Sequence, residues 1–247
     1  MSEETLVGKN TGHGLVRVLS ASAQRAALTA CADAFVASQA RGTPDTGILF
    51  SWATSGAVTD RIEAGEKFDI IAASQSALQS LTEKRLVSGA IHLAGISRIA
   101  LGMRKGETPP DISTVELFKV ALNAASAFSR GDPAGGGTAG NFLAAMLERI
   151  GMLEATRDKS ILRVGGYNVM KEVAEGRADF GITQSTEIVA VEGVEISAWL
   201  PEDLQMSTVY ALAAGPNTIS AHTQAFLDFI TSANGKTIYA EAGFANA

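Results

Sequence analysis

Short apolar runs alternate with stretches of helical period along almost the whole chain, and that alternation limits the folds open to it. Residues 16–19 form an apolar run closed by Ser20-Ala21-Ser22, after which Leu28, Cys31, Ala32, Phe35 and Val36 recur at helical spacing. The run 48–52 leads into Ala53-Thr54-Ser55-Gly56 and a helix through Val58 and Ile62 that stops at Gly65. A third run, 68–73, closes on Ser74-Gln75-Ser76. From Ser97 the pattern resumes with a strand at 98–103, a break at Pro109-Pro110, a helix capped by Ser113, and a strand near 125–129. The glycine-rich loop 131–138 then opens a helix marked by Phe142, Leu143, Met146, Leu147 and Ile150 and ended by Gly151. A strand at 161–164, the turn Gly165-Gly166-Tyr167-Asn168, a helix to Gly176 and a strand at 180–183 follow. Residues 207–213 read as a last strand, and Phe226, Leu227, Phe229 and Ile230 mark a last helix. Strands alternating with helices over short connections build parallel sheets covered on both faces, so the expected class is α/β.

Two of these stretches match at a constant offset of 111: Val58 pairs with Val169, Ile62 with Val173, Gly65 with Gly176, Ile71 with Ile182 and Ser74 with Ser185. Convergence of two strand-turn-helix units accounts for the match as well as duplication does. Either way the chain holds two similar halves. The expected organisation is lobe 1 from 15–94 plus 208–247 and lobe 2 from 95–207, with hinges near 94–97 and 196–207 and an N-terminal extension at 1–14.

Composition narrows the function classes. With 46% hydrophobic and 19% charged residues the 247-residue chain is not disordered, and 25 Gly and 6 Pro without period exclude collagen-like and low-complexity architectures. The net charge of −6, with no run of Lys or Arg, argues against nucleic acid as a partner. No apolar stretch approaches the roughly 20 residues that span a bilayer. Residues 1–14 are polar, so a cytoplasmic location is expected for the chain as written, and a periplasmic one if a signal has been removed. Cys31, the single cysteine, sits among apolar neighbours and reads as a buried helix residue. His13, His92 and His222 have no metal-ligand spacing, so no metal site is expected and each reads as a surface or packed residue.

In parallel sheets the strand-to-helix turns gather at the carboxyl edge, where open α/β folds bind ligands. Here those turns are Ser20-Ala21-Ser22, Thr54-Ser55-Gly56, Ser74-Gln75, 132–138, 165–168 and Gln184-Ser185-Thr186. All are rich in neutral donors, and helix N-termini add unpaired N–H groups and partial positive charge, so an anion site needs no Lys or Arg. The same residue types also suit N-caps and turns, which is the plain alternative at each one. The loop 132–138 lacks the Gly-Lys-Ser/Thr ending of a nucleotide phosphate loop. Asp132, Tyr167 and Glu187 are the ionisable side chains in or beside these turns and the candidates for a general acid or base.

Several stretches carry a resemblance. Val18-Leu19-Ser20-Ala21-Ser22-Ala23, Thr54-Ser55-Gly56-Ala57-Val58, Glu63-Ala64-Gly65-Glu66-Lys67-Phe68-Asp69, Gly131-Asp132-Pro133 with its glycines, and Glu175-Gly176-Arg177-Ala178-Asp179-Phe180-Gly181-Ile182 resemble the molybdate-binding-like type II periplasmic substrate-binding proteins. The resemblance implies the type II periplasmic-binding-protein fold, two parallel-sheet lobes with a ligand cleft between them. It also implies a small anionic ligand, an oxyanion such as molybdate or a di- or tricarboxylate, received as a solute-binding protein of ABC-transporter type. By position, Ser20, Ala21, Ser22, Thr54 and Ser55 look like the ligand-binding residues of the first lobe, and Gly136, Gly137, Thr138, Gly166, Asn168 and Gln184 like those of the second. Where molybdate binders usually carry a tyrosine after the Gly-Ile strand, this chain has Thr183-Gln184-Ser185. That pattern is similar to a divergent branch that includes a bacterial aconitate isomerase. It implies, as the alternative, an isomerase shifting an allylic proton of a tricarboxylate, with Asp132, Tyr167 or Glu187 as the catalytic residue. Neither reading requires a cofactor. A monomer is expected, with an ABC permease as the partner under the first reading.

Overall fold

The computed structural model describes residues 3–8, 14–39, 46–216 and 219–245, and His13 lies outside them. The chain divides into two compact units, Met1–Ile96 with Thr208–Ala247, and Ser97–Ser207.

In the first unit, β2 (Leu15–Ala21) is the central strand of a parallel trio, flanked by β3 (Gly47–Ala53) and β4 (Ile70–Ser74). Each runs directly into a helix: α1 (Arg25–Gln39, after a short 3-10 turn at Ser22–Gln24), α2 (Ser55–Glu63) and α3 (Gln75–Glu83). Alternate residues face opposite sides. Val18 and Ile70 join Leu28, Phe35, Phe50 and Phe226 in one cluster, while Leu19 and Ile71 join Val58, Ile62, Leu78 and Leu81 in another, so the strands are apolar on both faces. Thr54 caps α2, its side chain accepting from Ala57 N at 3.2 Å. Thr54→Ala is expected to cost about 1 kcal/mol in chemical denaturation.

Each unit has the expected parallel strands at its centre, and antiparallel strands extend them into mixed sheets. β1 (Glu3–Val7) pairs antiparallel with β3, and β10 (Ser207–Ala214) pairs antiparallel with β4. The stretch expected as an extension therefore contributes an edge strand. It is held by a two-pronged Arg25–Glu3 ion pair at 2.8 Å and by Trp52 Nε1 donating to Thr5 Oγ1 at 3.0 Å. The expected hinge at 94–97 lies inside one uninterrupted strand, β5 (Ser88–Arg104), whose first half is read by the sequence as neither strand nor helix. The expected hinge at 196–207 holds the end of β9 (Val194–Trp199) and a 3-10 turn at Glu202–Leu204. Two closing helices, α8 (Ala221–Thr231) and α9 (Ala233–Glu241), belong to the first unit, and Phe226 packs against Phe35 at 5.2 Å between ring centroids.

The second unit has the same logic. β6 (Phe128–Gly131) runs parallel to β7 (Ser160–Arg163) on one side and β8 (Phe180–Gln184) on the other, while the second half of β5 is antiparallel to β8 and β9. α4 (Val115–Ala124) and α5 (Thr138–Arg149) cover the face bearing Phe128, Phe180 and Ile182. α6 (Gly166–Ala174) and the single turn α7 (Ser185–Ile188) cover the other, where Val169, Met170, Val173 and Ile188 pack. The cap of α4 is Thr114, whose side chain accepts from Leu117 N, not the expected Ser113.

The internal match at offset 111 extends to fine structure. α2 and α6 are each nine residues long and begin at 55 and 166. Both end in a Schellman turn at a left-handed glycine: Gly65 (φ +90°) with Glu66 N on Arg61 O, and Gly176 (φ +75°) with Arg177 N on Glu172 O. The same positions carry a salt bridge of reversed polarity, Arg61 with Glu66 and Glu172 with Arg177.

Candidate functional site

Because β2, β3 and β4 are parallel, their carboxyl ends deliver Ser20, Ala21, Ser22, Thr54, Ser55 and Ser74 to one edge of the first unit's sheet. The order β3-β2-β4 makes β2 the point where the connections turn to opposite sides, the place at which such sheets bind ligands. The hydroxyls differ in readiness. Ser20 Oγ donates to Ala21 O and Ser22 Oγ to Ala53 O, both at 3.0 Å. Ser74 Oγ accepts from Ala77 N. Ser55, only 8% exposed, opens α2 with a hydroxyl that has no protein partner among the described residues. It is the donor best placed to accept a newcomer.

In the second unit the carboxyl ends of β6, β7 and β8 carry Asp132, Gly136, Gly137, Thr138, Gly166, Tyr167, Asn168, Gln184 and Glu187 to one edge. Several are already engaged. Asp132 Oδ1 accepts from Ala134 N at 2.9 Å and shapes the turn ahead of Gly136, whose φ of +66° suits glycine. Gly137 caps α5 with no side-chain bond, leaving the first amides of that helix open. Asn168 is exposed and its Nδ2 donates to Val164 O. The ring of Tyr167 lies under Lys171 Nζ at 4.7 Å. Gln184 is buried.

Glu187 changes the reading of this edge. The residue is 6% exposed, its Oε1 accepts from Gly166 N at 2.9 Å and its Oε2 from Thr183 Oγ1 at 2.8 Å. The N-terminus of α6, expected to offer Gly166 N–H to a ligand, thus holds a carboxylate of the chain itself, where the helix dipole favours negative charge. The Gly166 N–H is thus already engaged within the chain, and so are both carboxyl oxygens of Glu187. Sequence spacing could not show this, since the partners stand 21 residues apart and meet only through the α6–β8 packing.

No group of three His, Cys, Asp or Glu among the described residues could hold a metal ion. His222 Nδ1 pairs with Thr46 Oγ1 at 3.0 Å. Cys31 is fully buried, and that burial pushes its thiol up to about 12, which makes it inert packing. Sequence reading overlooked the burial of Arg130, 5% exposed inside the Phe-Ser-Arg-Gly strand. No helix is long and apolar enough to cross a membrane among the described residues.

Comparison with known proteins adds the following. Residues 16–245 match the family model described as bacterial extracellular solute-binding protein. An aconitate isomerase from a Pseudomonas species is 30% identical over 163 residues, which cover 64% of this chain and 59% of the isomerase. The molybdate-binding protein ModA of Haemophilus influenzae is 25% identical over 83% of this chain and 81% of its own length. Among solved structures, the periplasmic molybdate-binding protein of Azotobacter vinelandii superposes with a TM-score of 0.75 at 16% identity, covering 94% of this chain and 99% of that one. That last likeness speaks to fold alone.

Proposed function

As the chain belongs to the bacterial extracellular solute-binding protein family, we propose that it captures a small anion and passes it to an ABC permease. The ligand is an oxyanion such as molybdate or a di- or tricarboxylate, held by hydroxyls and main-chain amides. Such a receptor works on the outer side of the cytoplasmic membrane, and that is the location proposed. The observation that carries the reading is the carboxyl edge of the first unit, where parallel strands set Ser22, Thr54 and the uncommitted Ser55 side by side at helix starts.

Calorimetric titration with molybdate, sulfate, citrate and aconitate tests it. A wild type that binds none of them overturns the proposal. The two serines should separate: Ser55→Ala is expected to weaken binding about 10-fold, whereas Ser22→Ala loses less because its hydroxyl must first leave Ala53 O. Equal, undiminished affinity in both variants would remove this edge from the site.

The alternative reading, an isomerase acting on aconitate, has behind it the 30% identity to such an enzyme over part of both chains. With Glu187 committed to Gly166 and Thr183, the base would fall to Asp132 or Tyr167. Turnover of cis- or trans-aconitate that survives Glu187→Gln but falls about 10²-fold or more in Asp132→Asn or Tyr167→Phe would establish it.

A further inference from the structure

The first unit holds a cavity of about 630 Å³ between the first half of β5, β10 and the helices α8 and α9, and none of the carboxyl-edge residues lines it. That volume lies in the range of about 300–1,000 Å³ in which proteins hold small molecules. Ile91, Leu93, Leu212, Ile230 and Phe244 give it an apolar wall. Leu93 is 48% exposed, so that wall reaches the surface and a ligand has a way in. Packed interiors leave few voids larger than a water molecule, and a space of this size needs a cause. Its walls are pinned. Ile96 N donates to Ala245 O at 2.8 Å and Ala245 N to Ile96 O at 2.9 Å, which ties the chain beyond α9 to β5. A Cβ on Gly95 would stand 2.7 Å from Phe244 Cβ, and one on Gly235 would stand 2.1 Å from Ile230 O. Phe244 is therefore pressed onto β5 and α9 is seated hard against the end of α8, so the backbone itself sets the space.

The polar lining gives the space a chemical character. Tyr239 donates its hydroxyl proton to Gln24 Oε1 at 2.9 Å and Thr231 Oγ1 donates to Leu227 O at 2.9 Å, so both are already engaged. The other two, His92 and Lys236, are basic, and neither side chain makes a hydrogen bond or ion pair among the described residues. No aspartate or glutamate lines the cavity. In a chain of net charge −6, a cleft with basic groups and no carboxylate attracts an anion. The apolar wall calls at the same time for hydrocarbon, whose burial is favourable in proportion to its area.

We propose that this cavity is a second ligand site, wholly within the first unit, and that it takes a medium-chain aliphatic carboxylate, its tail on the apolar wall and its carboxylate accepting from Lys236 and His92. The inference does not depend on the anion-binding reading of the carboxyl edge. Because the walls are held by backbone contacts, little ordering is needed on binding, which favours affinity for a flexible ligand of this kind.

The experiment titrates wild type, Lys236→Glu and Ala240→Trp with decanoate, octanoate and uncharged decanol by calorimetry, below micelle-forming concentrations. Lys236 and Ala240 are both exposed positions of α9 that line the cavity, so the variants change the site without disturbing the core. Wild type should bind decanoate about 10-fold more tightly than octanoate, since two more methylenes are buried. Lys236→Glu should weaken decanoate about 10-fold or more and leave decanol unchanged, whereas Ala240→Trp, which fills the space, should weaken both. Wild type that binds no decanoate overturns the inference, and so does decanoate affinity undiminished in both variants. Decanol bound as tightly as decanoate by wild type overturns the carboxylate assignment. Displacement of decanoate by saturating molybdate or citrate places it at the carboxyl edge, which overturns the inference and leaves the anion-binding reading standing. A wild type that sediments as a dimer and an Ala240→Trp that sediments as a monomer put a second copy of the chain on this cleft and overturn it too.

Discussion

Gly166→Ala should destabilise the second unit by about 3–5 kcal/mol, the largest single-residue effect expected outside the apolar cores. A Cβ at this position would stand 2.0 Å from both Glu187 Oε2 and Thr183 Oγ1 and 2.4 Å from Glu187 Cδ. Both side chains would have to give way, and the carboxyl group is buried and holds Gly166 N through Oε1, so giving way breaks that bond. Moving the carboxylate would strand a buried charge and leave the Thr183 hydroxyl and the α6 N-terminus without their partner. Urea unfolding followed by circular dichroism reads the loss as a lower midpoint. The double variant Gly166→Ala/Glu187→Ala deletes the obstructing atoms and should be more stable than the two single losses predict, with a coupling of about 1–3 kcal/mol. A Gly166→Ala protein within about 1 kcal/mol of wild type would show that Glu187 is not fixed there.

The same glycine marks where sequence reading stops. Strands with both faces buried declare themselves as continuous apolar runs, so β2, β3, β4 and β8 and the glycine-terminated helices behind them were legible. The edge elements were not. β1 is Glu-Glu-Thr-Leu-Val, mostly exposed, and is a strand only because Glu3–Val7 has β3 to pair with. The first half of β5, Ser-Gly-Ala-Ile-His-Leu-Ala-Gly, has neither period and takes its form from the strand beside it. β9 and α9 follow the same rule, since their form depends on partners distant in sequence.

The candidate site divides along the same line. Where the donors gather follows from strand order and from turn residues, both of which are local or nearly so. Which donors are already spent follows from contacts across 21 residues for Gly166 and Glu187 and across 31 for Ser22 and Ala53, and no spacing rule reaches those. The burial of Arg130 was hidden for the opposite reason: one charged residue in a short strand looks like a solvated position until its neighbours are seen to close over it.

The reversed salt bridges of the two repeats give the second large effect. Glu172 is 4% exposed and accepts from Arg177 Nε at 2.6 Å, Arg177 Nη2 at 3.0 Å and Arg163 Nε at 2.8 Å. Hydrogen bonding from Arg177 above all, with a smaller part from Arg163, holds its carboxyl down at about 2 against the opposing effect of burial. A carboxylate whose folded value lies below its unfolded value of 4.5 adds stability that is complete above pH 4.5 and disappears as pH falls through about 2. Because both arginines are about half exposed, screening trims the contribution to about 2–3 kcal/mol. The stability difference between wild type and Glu172→Gln should therefore be about that size at neutral pH, shrink below pH 4.5 and vanish near pH 2. The mirror pair in the first unit has its carboxylate, Glu66, 39% exposed, so Glu66→Gln should change stability by under about 1 kcal/mol and show little of this pH dependence. Equal curves for the two variants would mean that burial of the acidic partner does not set the strength of the pair.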